Sequence, residues 1–264
     1  MLAGRIPAKR HTFFKSRGKM VAFYFQACYT EDGNTYLING GLEKMKKFTA
    51  YFVRHGQTML NHYNKVQGWI DSPLTAKGRA DAKRAGQQLS NIPLAAAYSS
   101  DSGRAIETAR IALKENPDNM NIVTYQYPEF REQCHGYFEG NDLNQMWQFV
   151  GAQVGLTSES KVLGTYGLEK ARDLIHQADL YGEAESNDMF WERLDRGFNK
   201  LRKNTKNGDQ IMVVSHGMTI RSIIDRYAPD LDEGIATING SITKLEITDD
   251  DIHVDFFNKT DFQS

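Results

Sequence analysis

The sequence has few of the features that mark secreted, membrane-spanning or metal-binding proteins. Cys28 and Cys134 are the only cysteines, so neither a disulfide framework nor a cysteine-based zinc site is supported, and a reducing, cytoplasmic setting is the simpler expectation. No apolar run approaches the roughly 20 residues that a membrane-spanning helix needs. The net charge of −1 gives no overall attraction to nucleic acid or to an anionic membrane.

The composition is that of a soluble globular protein. The chain has 264 residues, of which 40% are hydrophobic and 25% are charged, enough apolar material for a sizeable core. This length fits one large domain or two small ones. There is no solenoid-type repeat and no low-complexity tract.

Residues 1–44 differ from the rest, because their start is basic and has no clear periodicity. A secretory signal would need a clean apolar stretch and a cleavage site, and a targeting peptide would need an amphipathic pattern. A third interpretation is that translation starts at Met45, since Gly40-Gly41 codons can spell a ribosome-binding site. We expect residues 1–44 to be poorly ordered or an upstream-start artefact, and residues 45–264 to form the domain.

From Lys46 onward, strand and helix patterns alternate. Apolar strands are predicted at 48–53, 95–99, 122–127 and 211–215, and helices at 76–89, 102–114, 186–203 and 218–227. Thr75 and the run Ser100-Asp101-Ser102 are expected to cap the helices that follow them. The alternating stretch 242–257 predicts an edge hairpin. This order indicates an α/β fold: a three-layer sandwich whose mostly parallel central sheet is covered by helices on both faces.

The segment at about 141–185 is the least regular part of the domain. It contains aromatic residues among glycines and scattered charges. We interpret it as an inserted lid with short helices, and an ordinary surface excursion with its own apolar cluster is an equal alternative. Its cations Lys161, Lys170 and Arg172 favour a small charged metabolite as ligand.

Two predicted strands end in the same dipeptide. The strand at 48–53 is followed by Arg54-His55-Gly56, and the strand at 211–215 is followed by His216-Gly217. Ligands of open α/β sheets bind beyond the carboxyl ends of strands. If these strands are parallel neighbours, both imidazoles project into one crevice, which Arg104 and Glu132 can also reach.

Three kinds of site could occupy this crevice. A metal site is disfavoured, because two arginines would repel a dication and no HExxH motif, acidic cluster or cysteine pair completes a ligand shell. A serine triad lacks a GxSxG elbow. An anion site fits better, because guanidiniums bind phosphate oxygens and backbone N–H groups at Gly56, Gly217 and the helix start near Ser102 can add donors. A neutral imidazole facing a bound phosphoryl group is a competent nucleophile.

Five segments in order resemble the histidine phosphatase superfamily, which includes phosphoglycerate mutases and many small phosphatases. They are RHGQTMLN at 54–61, QGWIDSPLTAKG at 67–78, SSDSGRAIETA at 99–109, FREQCHGYFEG at 130–140 and VVSHG at 213–217. The resemblance runs from about Lys47 to the C-terminus and is weakest in the lid. It implies a phosphoglycerate mutase-like fold, a small phosphorylated substrate, and no cofactor or metal.

The resemblance also implies residue roles. His55 corresponds to the nucleophile that becomes phosphohistidine, and Glu132 to the proton donor that later activates water. Arg54, Arg104 and His216 correspond to groups that bind the phosphoryl oxygens and stabilise their charge in the transition state. Further substrate contacts are implied for Asn61, Gln67, Gly68 and Gly217.

The pattern around Glu132 bears on the reaction type. In the family's mutases the proton-donor glutamate is followed by Arg-His-Tyr-Gly, whereas Glu132 is followed by Gln-Cys-His-Gly. We therefore expect a phosphomonoester hydrolase. A mutase and a non-catalytic phospho-ligand binder that kept the fold remain alternatives. Cys134 is expected to be a bystander, and His62, His135 and His176 are left unassigned.

Overall fold

The computed structural model describes the backbone of residues 10–16, 19–29 and 35–39 and the complete residues 46–119, 121–232, 234 and 236–262. The chain divides into two compact units, Met1–Met45 and Lys46–Ser264. In the first unit, strands β1 (Arg10–Ser16), β2 (Lys19–Tyr29) and β3 (Thr35–Asn39) form an antiparallel sheet in the order β1-β2-β3. The sequence analysis did not predict these strands. Poor order was expected for residues 1–44 as a whole, and the residues of this range other than the three strands lie outside the described part of the chain.

The second unit is built on a six-stranded sheet. Its strands are β4 (Lys47–Arg54), β5 (Ala96–Ser99), β6 (Thr124–Gln126), β7 (Gln210–Ser215), β8 (Ile242–Thr248) and β9 (Ile252–Lys259). The order is β6-β5-β7-β4-β8-β9. The first three pairings are parallel and the two involving β8 are antiparallel. Because only β8 is reversed, the sheet is mostly parallel, and the C-terminal hairpin closes one edge, as predicted.

The described helices are α1 (Met59–His62), α2 (Ala76–Gln88), α3 (Gly103–Leu113), α4 (Leu143–Ala152), α5 (Glu159–Ala178), α6 (Asn187–Asn204) and α7 (Gly217–Tyr227). The predicted cap at Thr75 is present, since its side chain accepts a hydrogen bond from the Gly78 N–H. The helix that was predicted to begin at Ser186 is also capped, because the Ser186 side chain accepts a hydrogen bond from the Met189 N–H. The chain of α5 is interrupted at Gly167, whose φ of 72° is not helical. None of the described helices has both the length and the apolarity to cross a bilayer.

Helices cover both faces of the sheet, which confirms the predicted three-layer sandwich. On one face, strand residues such as Phe52 and Val213 pack with Phe198 of α6 and Ile223 of α7. On the other face, Val53 and its neighbours pack with helices α2 and α3. The strands can be apolar on both sides because both sides are buried.

The segment that was interpreted as a lid contains α4 and α5. These helices enclose a separate apolar cluster, in which Trp147, Val150 and Ile175 are buried. Two residues of the segment, Leu143 and Glu159, line a cavity at the carboxyl ends of the parallel strands. The segment therefore has both its own small core and a surface towards the candidate site.

Candidate active site

The two histidines are brought together by strand pairing. β4 and β7 are parallel neighbours with Arg54 opposite Ser215, so the residues that follow both strands leave the sheet side by side. The backbone N–H of His55 donates to the Ser215 carbonyl at 3.0 Å. The imidazole rings of His55 and His216 lie with centroids 5.1 Å apart and planes 60° apart. Both side chains are buried, at 3% and 0% exposure.

Arg104 lies between the two imidazoles. It belongs to the first turn of α3 and is 1% exposed. Its Nε donates to His55 Nε2 at 3.3 Å, and its Nη2 donates to His216 Nδ1 at 3.0 Å. A solvated surface cation, the alternative for an arginine on a helix, is thereby excluded. One guanidinium holds both rings in place.

Arg104 is itself fixed by the loop before α2. Its Nη1 donates to the Ile70 carbonyl at 3.0 Å and to Asp71 Oδ1 at 2.8 Å, and its Nη2 donates to the Gly68 carbonyl at 2.7 Å. Carbonyl and carboxylate acceptors on several sides compensate for burying the charge. Gly68, for which a substrate contact was expected, thus contacts Arg104 through its carbonyl and is not among the residues that line the cavity.

The hydrogen bonds define the tautomers of both rings. A guanidinium has donors only, so His55 Nε2 and His216 Nδ1 are acceptors. The proton of His55 is then on Nδ1, 2.8 Å from the Gly56 carbonyl, and that of His216 is on Nε2, 2.7 Å from Ser100 Oγ. Burial, and then the nearby arginines, lower the pKa of both imidazoles well below the ordinary 6.5. Both rings are neutral at pH 7.

Arg54 is the second arginine of the candidate site, beside Arg104. Its Nη1 donates to the Thr237 carbonyl, and its Nε has no partner among the described residues. Burial lowers the pKa of Arg54. A Cβ on Gly217 would lie 3.1 Å from Arg54 Nε, so the glycine at the start of α7 leaves room for the guanidinium.

Glu132 lies against the N-terminus of α7 and is 6% exposed. Its Oε1 accepts hydrogen bonds from the backbone N–H groups of Gln133 and Thr219 and from Thr219 Oγ1, at 3.0, 2.9 and 3.0 Å. Its Oε2 accepts one, from the Met218 N–H at 2.9 Å. Helix N–H groups hold the carboxyl in a fixed position, and Oε2 is the less engaged oxygen.

Asn61 and Gln67 lie at the edge of the same site. The Asn61 side chain accepts a hydrogen bond from the Thr58 N–H at 3.3 Å, and Gln67 Oε1 accepts one from the Asn61 amide at 3.3 Å. Asn239, in the loop before β8, donates to the His55 carbonyl at 2.9 Å. Hydrogen bonds made by these three amide side chains connect the segment that follows β4 with the loop before β8.

A cavity of about 210 Å³ opens beside these groups. It is lined by Arg54, Asn61, Lys65, Val66, Gln67, Glu132, His135, Leu143, Glu159, Gly217, Met218, Arg221, Ala236 and Thr237. Arg54, Glu132 and Gly217 thus contribute to the cavity wall, whereas His55, Arg104 and His216 are not among the residues that line it. Within the described residues, no three His, Cys, Asp or Glu side chains lie close enough together to hold a metal ion.

Several details differ from the sequence expectations. The Gly56 N–H is not available as an anion donor, because it donates to Thr108 Oγ1 at 3.1 Å. Ser102 is the N-cap of α3 but makes no side-chain cap bond, and Ser100, expected to be a cap, binds His216 instead. Lys161, Lys170 and Arg172 do not line the cavity.

Other residues were missed. His135, left unassigned, is 8% exposed and lines the cavity. Asp71, which holds Arg104, and Arg221 and Glu159, which line the cavity, were not proposed. The run QGWIDSPLT gave a signal for Asp71, because the loop was already matched as a border of the pocket. Nothing in the sequence alone pointed to Glu159 or Arg221.

A family model for the histidine phosphatase superfamily (branch 1) matches residues 50–260. A 2,3-bisphosphoglycerate-dependent phosphoglycerate mutase 2 from Gloeobacter violaceus is 28% identical over 183 residues, which cover 67% of this chain and 76% of that protein.

Solved structures of similar fold include a mutase and a phosphatase. A phosphoglycerate mutase from Bacillus anthracis is 34% identical with a TM-score of 0.77, and the match covers 82% of this chain and 95% of that one. An alpha-ribazole phosphatase from Shigella flexneri shares the fold, with a TM-score of 0.59, 19% identity, and 80% and 96% coverage of the two chains.

Proposed function

The chain belongs to branch 1 of the histidine phosphatase superfamily, and from this premise we propose that it hydrolyses a phosphate monoester of a small metabolite through a phosphohistidine at His55. The observation that carries the proposal is the Arg104 guanidinium, which donates at once to His55 Nε2 and His216 Nδ1. This arrangement aligns a neutral nucleophile inside a cationic, water-poor site. The proposed reaction takes place in the cytoplasm and uses neither metal nor cofactor.

In the first step, the lone pair of His55 Nε2 forms a bond to phosphorus while the bond from phosphorus to the ester oxygen breaks. Arg54, Arg104 and His216 bind the phosphoryl oxygens, Asn61 and Gln67 contact the substrate at the rim, and the Gly217 N–H adds a donor. Substrate phosphate takes over the Arg104 hydrogen bond that Nε2 accepts in the free protein, which frees the lone pair. The Nδ1–H bond to the Gly56 carbonyl keeps the ring oriented.

Glu132 donates a proton to the leaving alcohol oxygen. Its Oε2 is the proposed carrier, because Oε1 already accepts three hydrogen bonds. In the second step, the ionised Glu132 accepts a proton from water as the water oxygen attacks phosphorus. The bond from phosphorus to His55 Nε2 then breaks, which releases phosphate and restores the neutral imidazole.

Release of phosphate from a generic aryl phosphate tests the proposal. The intact protein is expected to release phosphate. His55→Ala is expected to lower the rate of release by several orders of magnitude, since the proposed nucleophile is lost. His62→Ala, which changes a histidine outside the cavity, is the matched control. Acid-labile ³²P labelling of the intact protein but not of His55→Ala would identify the intermediate. Phosphate release that survives in His55→Ala would contradict the mechanism.

Phosphoglycerate mutase activity is the second candidate, and the structure of the phosphoglycerate mutase from Bacillus anthracis, which is 34% identical to this chain, favours it. The Gln133-Cys134-His135-Gly136 run after Glu132 favours hydrolysis. Incubation with 3-phosphoglycerate and a trace of 2,3-bisphosphoglycerate separates the two: a hydrolase releases phosphate, whereas a mutase forms 2-phosphoglycerate with little release. A non-catalytic binder would do neither and would still bind vanadate.

A further inference from the structure

Several residues that line the cavity take part in no proposed step. The polar ones are Lys65, His135, Glu159 and Arg221, and the apolar ones include Leu143 and Met218. Lys65 lies 3.6 Å from Asp142, an ion pair at the surface. Glu159 and Arg221 are different, because each has side-chain polar atoms that make no hydrogen bond or ion pair within the described residues.

Arg221 is held firmly from one side only. Its Nε donates to both oxygens of Asp232, at 3.2 and 2.9 Å, and the two side chains are 12% and 11% exposed. No hydrogen bond or ion pair to its Nη1 or Nη2 exists in the described part of the chain. Asp232 therefore fixes the guanidinium in place, and the two NH₂ groups remain as donors at the wall of the cavity.

Glu159 is the first residue of α5 and supplies a carboxyl group to the same wall. Its pKa is raised by burial, while Arg221 and His135 oppose that rise. No side chain or backbone group among the described residues hydrogen-bonds to its carboxyl. A partly buried carboxylate with no partner is unfavourable, and a ligand group that donates a hydrogen bond or carries positive charge would relieve this.

We propose that Glu159 and Arg221 select the alcohol part of the substrate, and that this part carries both a hydrogen-bond donor for Glu159 and an acceptor for Arg221. This inference rests on the proposed hydrolase function and adds the substrate class to it. Hydroxyl groups supply both properties at once, and an amino acid supplies them as separate ammonium and carboxylate groups. An alcohol whose only other polar group is a carboxylate is repelled by the Glu159 carboxylate, so its phosphate ester should have a lower kcat/KM.

Two phosphate esters whose two-carbon alcohol parts carry opposite charges test the selection. Phosphoethanolamine carries an ammonium group, and phosphoglycolate carries a carboxylate. The measured quantity is the ratio of kcat/KM for phosphoglycolate to kcat/KM for phosphoethanolamine within one preparation, which is independent of the fraction of folded enzyme. Glycerol 3-phosphate and phosphoserine, assayed alongside, distinguish a hydroxylated from an amino-acid alcohol.

We expect Glu159→Gln to raise this ratio about tenfold or more, because an anionic partner is lost. Arg221→Met is expected to lower the ratio by a similar factor. The exposed i,i+4 pair of α6, Glu192 and Arg196, supplies the matched controls Glu192→Gln and Arg196→Met, in which the ratio should stay as in the intact protein. Glu159→Gln is nearly isosteric and removes no internal hydrogen bond, so it decides the question even if Arg221→Met does not fold.

The outcomes separate this inference from the proposed function. If the intact protein releases phosphate in a His55-dependent way but Glu159→Gln leaves the ratio unchanged or lowers it, the selection is refuted and the hydrolase stands. If phosphoglycolate is the best of the four esters for the intact protein, the selection is also refuted. If none of the esters, including an aryl phosphate, is hydrolysed, both proposals fail together.

Discussion

The imidazoles of His55 and His216 lie 5.1 Å apart although the two residues are separated by most of the domain. Both rings are buried beside the Arg104 guanidinium, so a proton added to either ring would face a fixed positive charge in a poorly solvated site. This relationship sets the protonation state in which the site can act. It also explains why the two strands that carry the rings must be direct neighbours.

The first prediction concerns pH. Because burial and the arginines lower the pKa of His55 and of His216, both rings should take up a proton only well below pH 6.5. The C2–H resonances of the two rings, assigned with His55→Asn and His216→Asn, report this by NMR titration. Since a protonated His55 has no free lone pair, turnover should be lost as pH falls through the same range and not above it. A titration midpoint at or above 6.5 for His55 would contradict the electrostatic account.

The second prediction concerns the proton donor. Glu132→Gln keeps the shape of the side chain but cannot donate or accept the required proton, so kcat should fall about 10²- to 10⁴-fold. Binding of vanadate, measured by competition, should weaken much less, because the phosphoryl ligands are unchanged. Glu192→Gln on the surface of α6 serves as the control. Equal losses in turnover and in vanadate affinity would count against the assigned role.

The third prediction concerns the position of Arg104. Asp71 contacts the buried guanidinium at 2.8 Å while being 37% exposed itself. Asp71→Asn should lower kcat/KM by about tenfold, and less than Arg104→Met, because the Gly68 and Ile70 carbonyls still hold the guanidinium. The matched control is Glu107→Gln, which breaks the exposed pair with Arg79. If Asp71→Asn and Glu107→Gln have the same kcat/KM, then Asp71 has no positioning role.

The fourth prediction concerns a close backbone contact in the loop that follows His55. A Cβ on Gly78, in α2, would lie 2.0 Å from the Gln57 carbonyl oxygen, and a Cβ on Gly56 would lie 2.0 Å from the Gly78 carbonyl oxygen. Gly78→Ala should therefore lower the free energy of unfolding by about 1–3 kcal/mol or more, because the loop after His55 must move away.

Gly164, in the first part of α5, provides the opposite case for the same substitution. A Cβ there would meet nothing within 4 Å, so Gly164→Ala should raise the free energy of unfolding by about 0.5–1 kcal/mol through helix propensity alone. Urea unfolding followed by circular dichroism measures both variants. Two changes of the same sign would show that the close approach of Gly56 and Gly78 does not determine the effect.

Much of the fold follows from local patterns. The strands at 48–53 and 211–215 are apolar on both sides, and the structure covers both sides with helices. Predicted helix starts at Thr75 and Ser186 agree with the structure, because a cap is a local hydrogen bond between residues three positions apart. The three strands within residues 10–39 were not predicted, since their pattern is short and interrupted and their pairing depends on one another.

The site was predictable only in part. His55, His216, Arg54, Arg104 and Glu132 stand in motifs, so the sequence could nominate them. Ser100 was taken for a helix cap, and only the structure shows that its Oγ accepts a hydrogen bond from His216 Nε2, at 2.7 Å. Gly56 was taken for an anion donor, and only the structure shows that Thr108 already accepts its N–H.

The sequence alone was enough to identify the family, the α/β sandwich and the five polar groups of the candidate site, because each is encoded in short stretches whose periodicity or motif does not depend on distant residues. Only the folded structure shows which further groups line the cavity beside them. Glu159 at the start of α5 and Arg221 in α7 meet the same cavity because helix packing brings them there, and no local pattern records which side chains remain without a partner once the chain has folded.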